Sequence, residues 1–136
     1  MLYCKLLTIV TNDNINIRTG GYNIDNNNPY FLLIHGAGMD ASVWQMQTRY
    51  LANRDINILA IDLPGHGLSE GNPLSTIQEM SNFIIELLDI LNIKTATVAG
   101  HSMGSLIAID LLKNNEKRIN NFIFLFHDLY LIILMI

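Results

Sequence analysis

The five residues 100-GHSMG-104 place one serine between two glycines, at the point where an apolar run ends and a helical pattern begins. The preceding 94-KTATVAG-100 reads as a buried strand, and 105-SLIAIDLLK-113 as the body of a helix. A serine at the peak of so sharp a strand-to-helix turn holds its Oγ above the sheet edge in a strained backbone conformation. The N–H of the next residue, Met103, and the positive end of the helix face the same space. Those parts suit nucleophilic attack on a carbonyl carbon and stabilisation of the oxyanion that forms. Small flanking residues are needed because strand and helix pass so close together.

Two further loops belong to the same edge. The short apolar run 30-YFLLIHG-36 leads into 35-HGAG-38, whose small residues let backbone N–H groups approach a ligand. The run 56-INILAID-62 leads into the glycine-rich 62-DLPGHGLS-69. In an open parallel sheet, ligands bind beyond the carboxyl ends of the strands, so all three loops converge on one edge. His35 and His66 read as structural groups that hydrogen-bond their own loops, and Asp62 as a brace of its loop. His101 adjoins Ser102, but neighbours on a tight elbow point apart. His127 reads as the polar stop of the last strand. The four histidines lack metal-ligand spacing and no G-x-G-x-x-G opens a helix, so neither a metal site nor a cofactor is expected.

The elements that must position these loops alternate. Residues 5–11 and 14–19 read as two strands joined by an Asn-Asp turn, and 20–29 carries turn chemistry in Gly, Asn and Pro. A helix after Asp40 would use Val43, Met46, Tyr50 and Leu51 as its apolar face. The clearest helix is 76–91, with Ile77, Met80, Ile84, Leu87, Leu88 and Leu91 as one stripe. Ser75 with Gln78, or Thr76 with Glu79, would form its capping box. Lys113, Lys117 and Arg118 suit the end of the helix at 105–115, and 121–126 is the last strand. This order predicts an α/β fold, a mostly parallel, doubly wound sheet with helices on both faces. It is read as one domain over 1–136, with motifs in 5–126 and a hydrophobic tail at 127–136.

Composition narrows the function. Half of the 136 residues are apolar and 15% are charged, which is a folded composition. Eight Lys and Arg form no basic stripe and the net charge is −4, so nucleic acid is not an expected partner. The single cysteine, Cys4, reads as a small apolar filler and fits a reduced, cytoplasmic setting. No secretion signal is evident in the N-terminal residues. The run 122-FIFLFHDLYLIILMI-136 contains His127 and Asp128 and falls short of the about 20 residues of a membrane span. Trp44, Met39 and Met103 read as core packing, with a pocket lining as the alternative.

The order HGAG, Trp44, DLPGHGLS, GHSMG resembles the α/β-hydrolase superfamily of esterase-, lipase- and peptidase-like enzymes, over about residues 5 to 126. The resemblance implies a serine hydrolase acting on a small-molecule acyl substrate, an ester, amide or thioester, through an acyl-enzyme. It implies Ser102 as nucleophile, with the backbone N–H of Met103 and of Ala37, or alternatively Gly38, as oxyanion hole. One such donor is worth about 3 to 4 kcal/mol of transition-state stabilisation.

The family's chain order is serine, acid, histidine. Asp128 stands roughly where some members place the acid, and no base histidine is expected in this chain. A truncated or frame-shifted ending would explain the tail and would leave 121–126 as an unpaired, apolar sheet edge prone to aggregation. Three readings follow: a serine hydrolase, an inactive fragment, and a non-catalytic interaction module of the same fold.

Overall fold

The computed structural model describes residues 9–10, 14–21, 23–125 and 131–135. Cys4, His127 and Asp128 lie outside the described residues. Continuous apolar runs become central strands, since a strand covered on both faces needs no polar side. They are β4 (Tyr30–Ile34), β5 (Asn57–Ile61) and β6 (Ala96–His101), following the short β1 (Ile9–Val10), β2 (Asn14–Ile15) and β3 (Ile17–Arg18). The chain ends with β7 (Ile119–Leu125) and β8 (Leu131–Met135). The six-stranded sheet has the order β3-β5-β4-β6-β7-β8. Its four inner strands are parallel, and β3 and β8 are antiparallel edges.

Two of these elements differ from the sequence reading. The expected strand 14–19 is split at Asn16, which leaves β2 to pair with β1 and β3 with β5. Asn16 is buried at the change of partner: its carbonyl accepts the Asp62 N–H at 3.0 Å in the β3–β5 register, whereas its N–H donates to Ser69 Oγ and its side-chain amide to Asp62. The expected unpaired edge at 121–126 is overturned: β8 pairs antiparallel along β7, from Leu125 opposite Leu131 to Asn121 opposite Met135. The chain's own apolar tail supplies the strand.

Alternation along the strands sends side chains to two layers. Leu32, Ile34, Leu59, Ile61, Val98, Phe122 and Phe124 face α2 (Ile77–Ile90) and α3 (Met103–Asn115) in the larger core. Leu33, Ile58, Ala60 and Ala99 face the other way, against a 3₁₀ turn at Ala41–Trp44 and helix α1 (Gln45–Leu51). Helices therefore cover both faces, as the sequence predicts. The apolar face expected for the helix after Asp40 is corrected. Val43, Met46 and Tyr50 are exposed, whereas Ala41, Trp44, Thr48 and Ala52 are buried. The tighter 3₁₀ turn shifts the phase of the helix that continues from it. Asp40 caps that turn by accepting the Ser42 N–H.

Helix α2 is fixed at both ends by local chemistry. Thr76 and Glu79 form the capping box: Thr76 Oγ1 accepts the Glu79 N–H at 3.1 Å, and the Glu79 carboxylate accepts the Ser75 and Thr76 N–H groups, each at 2.9 Å. Those bonds hold the Glu79 carboxyl below its ordinary pKa. At the other end Asn92 is left-handed (φ 55°). The Ile93 N–H reaches the Leu88 carbonyl at 2.8 Å and the Asn92 N–H the Asp89 carbonyl at 3.0 Å, a Schellman closure. Arg118, expected to suit the end of α3, instead ties down this exit. Its guanidinium donates to Asp89 (2.7 Å) and to the carbonyls of Ile93 and Lys94. Ser81 donates to Asp110 between α2 and α3.

The cap predicts a measurable cost. Thr76→Ala should lower unfolding free energy by about 1 kcal/mol. In a urea titration the midpoint should fall while the slope stays unchanged.

Candidate active site

The order of β4 and β6 creates the site. From β4 the chain leaves to β5 on one side of the sheet, and it returns to β6 on the other. Their carboxyl ends flank the crevice where the winding reverses, the place at which open α/β sheets bind ligands.

At the end of β6, Ser102 has φ 53° and ψ −115°, a strained conformation for a side chain with a Cβ. Its N–H donates to the Leu125 carbonyl at 2.9 Å, and its own carbonyl accepts the Ser105 N–H at 2.9 Å. Ser105 Oγ donates to the Gly100 carbonyl at 2.7 Å. These bonds hold the serine backbone from both sides of the turn. The residue is exposed, and its side chain makes no capping bond to α3. Met103 opens α3, so its N–H belongs to the first turn, which has no intrahelical acceptor.

The two glycines explain how the turn closes. A Cβ at Gly100 would lie 2.2 Å from the Gly104 carbonyl oxygen, and one at Gly104 would lie 2.3 Å from that of Ile34. Both obstacles are backbone. The serine turn thus packs directly against the end of β4, from which the second loop starts. There the Met39 N–H donates to the Gly36 carbonyl at 3.3 Å, which turns Ala37 and Gly38 outward; Gly38 is left-handed (φ 67°) with open space around it. His101 lies against Gly36, where a Cβ would come 3.2 Å from its Nδ1.

Two buried groups lock the loops together. The Asp62 carboxylate is fully buried and accepts the Ala41 N–H at 2.6 Å, the Asn16 side-chain amide at 2.6 Å and the Leu68 N–H at 2.9 Å. It presses on Gly67, which is why that position has no Cβ to offer. Ser69 Oγ donates to the Asp62 carbonyl and accepts the Asn16 N–H. Asp62 therefore braces three segments, more than the one loop expected of it. His35, also fully buried, accepts the Leu63 N–H at Nε2 (3.1 Å), which leaves Nδ1 protonated to donate to the Gly36 carbonyl (2.8 Å). It bridges two loops, a link the sequence did not signal. Burial lowers its pKa from the ordinary 6.5, so it is held neutral. The His66 ring lies 5.1 Å from that of His35, tilted by 48°, and bonds the Pro64 carbonyl through Nδ1.

The structure thus brings Ser102, Met103, Ala37 and Gly38 to one edge. Asp128 and His127 lie outside the described residues. Trp44 is buried and Met39 lies at the end of the 36–39 turn, and both line a cavity beside His101; Met103 packs against the larger core. Among the described residues no helix is long and apolar enough to cross a membrane.

Comparison with known proteins agrees with this geometry. A profile described as the alpha/beta hydrolase family matches residues 31–132. The chain is 37% identical over 93 residues to (E)-2-((N-methylformamido)methylene)succinate hydrolase of Acinetobacter baylyi, covering 68% of this chain and 35% of that protein. It is 31% identical over 109 residues to Esterase YbfF of Escherichia coli, covering 80% of this chain and 42% of that one. Among solved structures it is similar to the enol-lactonase of Burkholderia xenovorans, with a TM-score of 0.73 and 30% identity over 83% of this chain and 43% of that chain. The chain therefore spans well under half the length of these relatives.

The close crossing and the buried histidine each give a prediction. Gly104→Ala should destabilise by more than about 3 kcal/mol, beyond ordinary overpacking, because the atom met is a backbone carbonyl. Gly36→Ala has as its nearest obstacles the His101 ring, the His101 carbonyl and the Met39 sulfur at 3.2 to 3.3 Å and should cost about 1 kcal/mol. Denaturant midpoints compare the two. His35 takes up a proton more readily unfolded than folded, so stability should be complete above pH 6.5 and fall as pH drops below it. The capping carboxylates Asp40 and Glu79, whose pKa values are lowered, add their own loss only in more acid solution. Melting temperatures between pH 7 and 5 should therefore follow His35, and His35→Gln should flatten that slope.

Proposed function

Since the chain belongs to the alpha/beta hydrolase family, we propose that it carries the nucleophile and oxyanion hole of a serine hydrolase acting on a carboxylic ester, amide or thioester. The observation that carries this reading is the backbone of Ser102. The tight turn imposes a positive φ that glycine would adopt without strain, so an exposed serine kept there points to a use for its hydroxyl. The hydrolase and esterase names of its relatives support the same chemistry.

In this mechanism Ser102 Oγ attacks the substrate carbonyl carbon as its proton passes to a base. The N–H groups of Met103 and of Ala37, or Gly38, stabilise the negative oxygen that develops. Collapse breaks the bond to the leaving group, which takes up the proton, and leaves an acyl-enzyme. Water then attacks that ester, releasing the acid and restoring the serine. The serine needs an adjacent base for speed. Both His35 nitrogens are committed to backbone groups, and His66 Nδ1 bonds the Pro64 carbonyl, so these two serve as braces. Asp128 is proposed as the acid from its place after the last parallel strand. With no base assigned, turnover by this chain alone is expected to be slow. A second reading, a fold half that binds acyl compounds without turning them over, is favoured by the engagement of those two histidines.

A fluorophosphonate probe tests the proposal on the purified chain beside Ser102→Ala. Covalent labelling located at Ser102 and absent from the variant is expected, with aryl-ester turnover weak but above the variant's. A folded chain that stays unlabelled would remove the nucleophile reading and leave the binding one.

A further inference from the structure

At the other end of the sheet, where β4, β6 and β7 begin, lies an open groove of about 550 Å³. Its walls are the loop that enters β4 and the loop between α2 and β6. The five residues of β4, about 15 Å of strand, separate it from the serine turn. Whatever binds there does so independently of the chemistry proposed at Ser102.

Both walls are held from behind. The buried Asn57 amide donates to the carbonyls of Asp25 (2.7 Å) and Asn28 (3.0 Å) and accepts the Asp25 N–H (3.0 Å). Its backbone N–H donates to the Pro29 carbonyl at 2.9 Å. On the opposite wall Arg118 donates to the carbonyls of Ile93 and Lys94, and the closure of α2 fixes the backbone of Asn92 and Ile93. None of these bonds uses a side chain that lines the groove. The side-chain amides of Asn28 and Asn92 and the Lys94 ammonium have no partner among the described residues. Asn26 and Asn120 each commit half of an amide: Asn26 Oδ1 accepts the Tyr30 hydroxyl at 2.8 Å, and Asn120 Nδ2 donates to Thr95 Oγ1 at 3.1 Å. The Asn26 NH₂, the Asn120 carbonyl oxygen and the Thr95 hydroxyl proton are left for a ligand.

The composition of the lining selects the ligand. One cation, Lys94, and no carboxylate line the groove, so a phosphate or sulfate would find a single ammonium and no guanidinium fork. An apolar ligand would displace water from the amides without replacing its bonds. Adjacent hydroxyls of a sugar ring suit an amide, which can accept from one and donate to the next. Pro29 and Ile93 offer apolar surface to the C–H groups of such a ring. We propose that this groove at the amino edge of the sheet is a second binding site, for a neutral disaccharide. Its volume falls within the roughly 300 to 1,000 Å³ of small-molecule sites, and walls already held in place keep the ordering cost of binding low.

The side-chain NH₂ groups of asparagine appear in a nitrogen–proton correlation spectrum, so the groove reports on itself without any turnover. The isotope-labelled, full-length chain is titrated with cellobiose, maltose, lactose, mannobiose and chitobiose, and separately with inorganic phosphate. Saturable shifts are expected with at least one disaccharide in the side-chain amides of Asn28, Asn92 and Asn120 and in the backbone of 92–95. The backbone signals of Gly38 and Met103, at the opposite edge, should stay in place. Asn28→Ala combined with Asn92→Gly removes two free amides, and glycine keeps the left-handed φ of position 92. The double variant should bind at least about tenfold more weakly. Should it fail to fold, Asn28→Ala alone should weaken binding at least about threefold. The site is overturned by a chain that shifts with none of the disaccharides at millimolar concentration, by saturable shifts with phosphate alone, by shifts centred on Gly38 and Met103, or by undiminished binding in the folded variants.

Discussion

Everything at the carboxyl edge depends on one close passage of backbone. Gly104 of α3 meets the carbonyl of Ile34 at the end of β4, and Gly100 of β6 meets the carbonyl of Gly104. There is room there for hydrogen and for nothing larger. The passage makes β4 and β6 neighbours at their ends and forces α3 to start at once. The residue between them has to take a positive φ, although it carries a side chain. The strain at Ser102 is thus the local consequence of a tertiary contact, sustained by the bonds from its N–H to Leu125 and from Ser105 N–H to its carbonyl.

The loops around that passage need a different kind of support. Short glycine-rich segments have few side chains to pack, and a loop with unpaired backbone groups cannot be buried. Asp62 and His35 solve this by bonding backbone N–H and carbonyl groups of segments distant in sequence. The carboxylate gathers three donors from residues 16, 41 and 68, and the imidazole links Gly36 to Leu63. A carboxylate with that many donors satisfies most of its hydrogen-bonding capacity without a cation. An imidazole held neutral provides one donor and one acceptor, which is what the two loops require. Removing either group would leave the open edge of the sheet less defined long before it disturbed the apolar layers.

Much of this was readable because the responsible forces are local. Strands β4, β5 and β6 are continuous apolar runs ending in glycine-rich loops, and α2 announces itself by its stripe and by the Thr76–Glu79 pair. The placement of Ser102, Ala37 and Met103 on one edge followed from parallel winding alone. What was not readable came from competition between local pattern and distant partners. Val43, Met46 and Tyr50 look like a buried face until the 3₁₀ turn at Ala41–Trp44 rotates them outward. Asn16 sits in a strand-like run, yet its N–H turns to Ser69 Oγ while its carbonyl accepts the Asp62 N–H, so the run changes partner there. The tail looked like a loose end, whereas any apolar strand that reaches the open edge of β7 can complete its row of hydrogen bonds.

The division between legible and hidden parts also runs through the proposed chemistry. As proposed, an oxyanion hole and a strained nucleophile are properties of backbone, and the close approaches at Gly100 and Gly104 and the Ser105–Ser102 bond lie within residues 34 to 105, joined by the bond from Ser102 to Leu125. Proton transfer is a property of a side chain brought from elsewhere, and it leaves no mark on the loops it serves. A serine and its oxyanion donors retain about 10³ to 10⁴-fold catalysis over water when the other groups of a triad are removed. A chain that spans 35 to 43% of its relatives' length can, on the proposed reading, carry a serine and its oxyanion donors. On the proposed reading, what this fold half encodes is where a carbonyl must sit; how fast it reacts is decided by whichever base can reach Ser102.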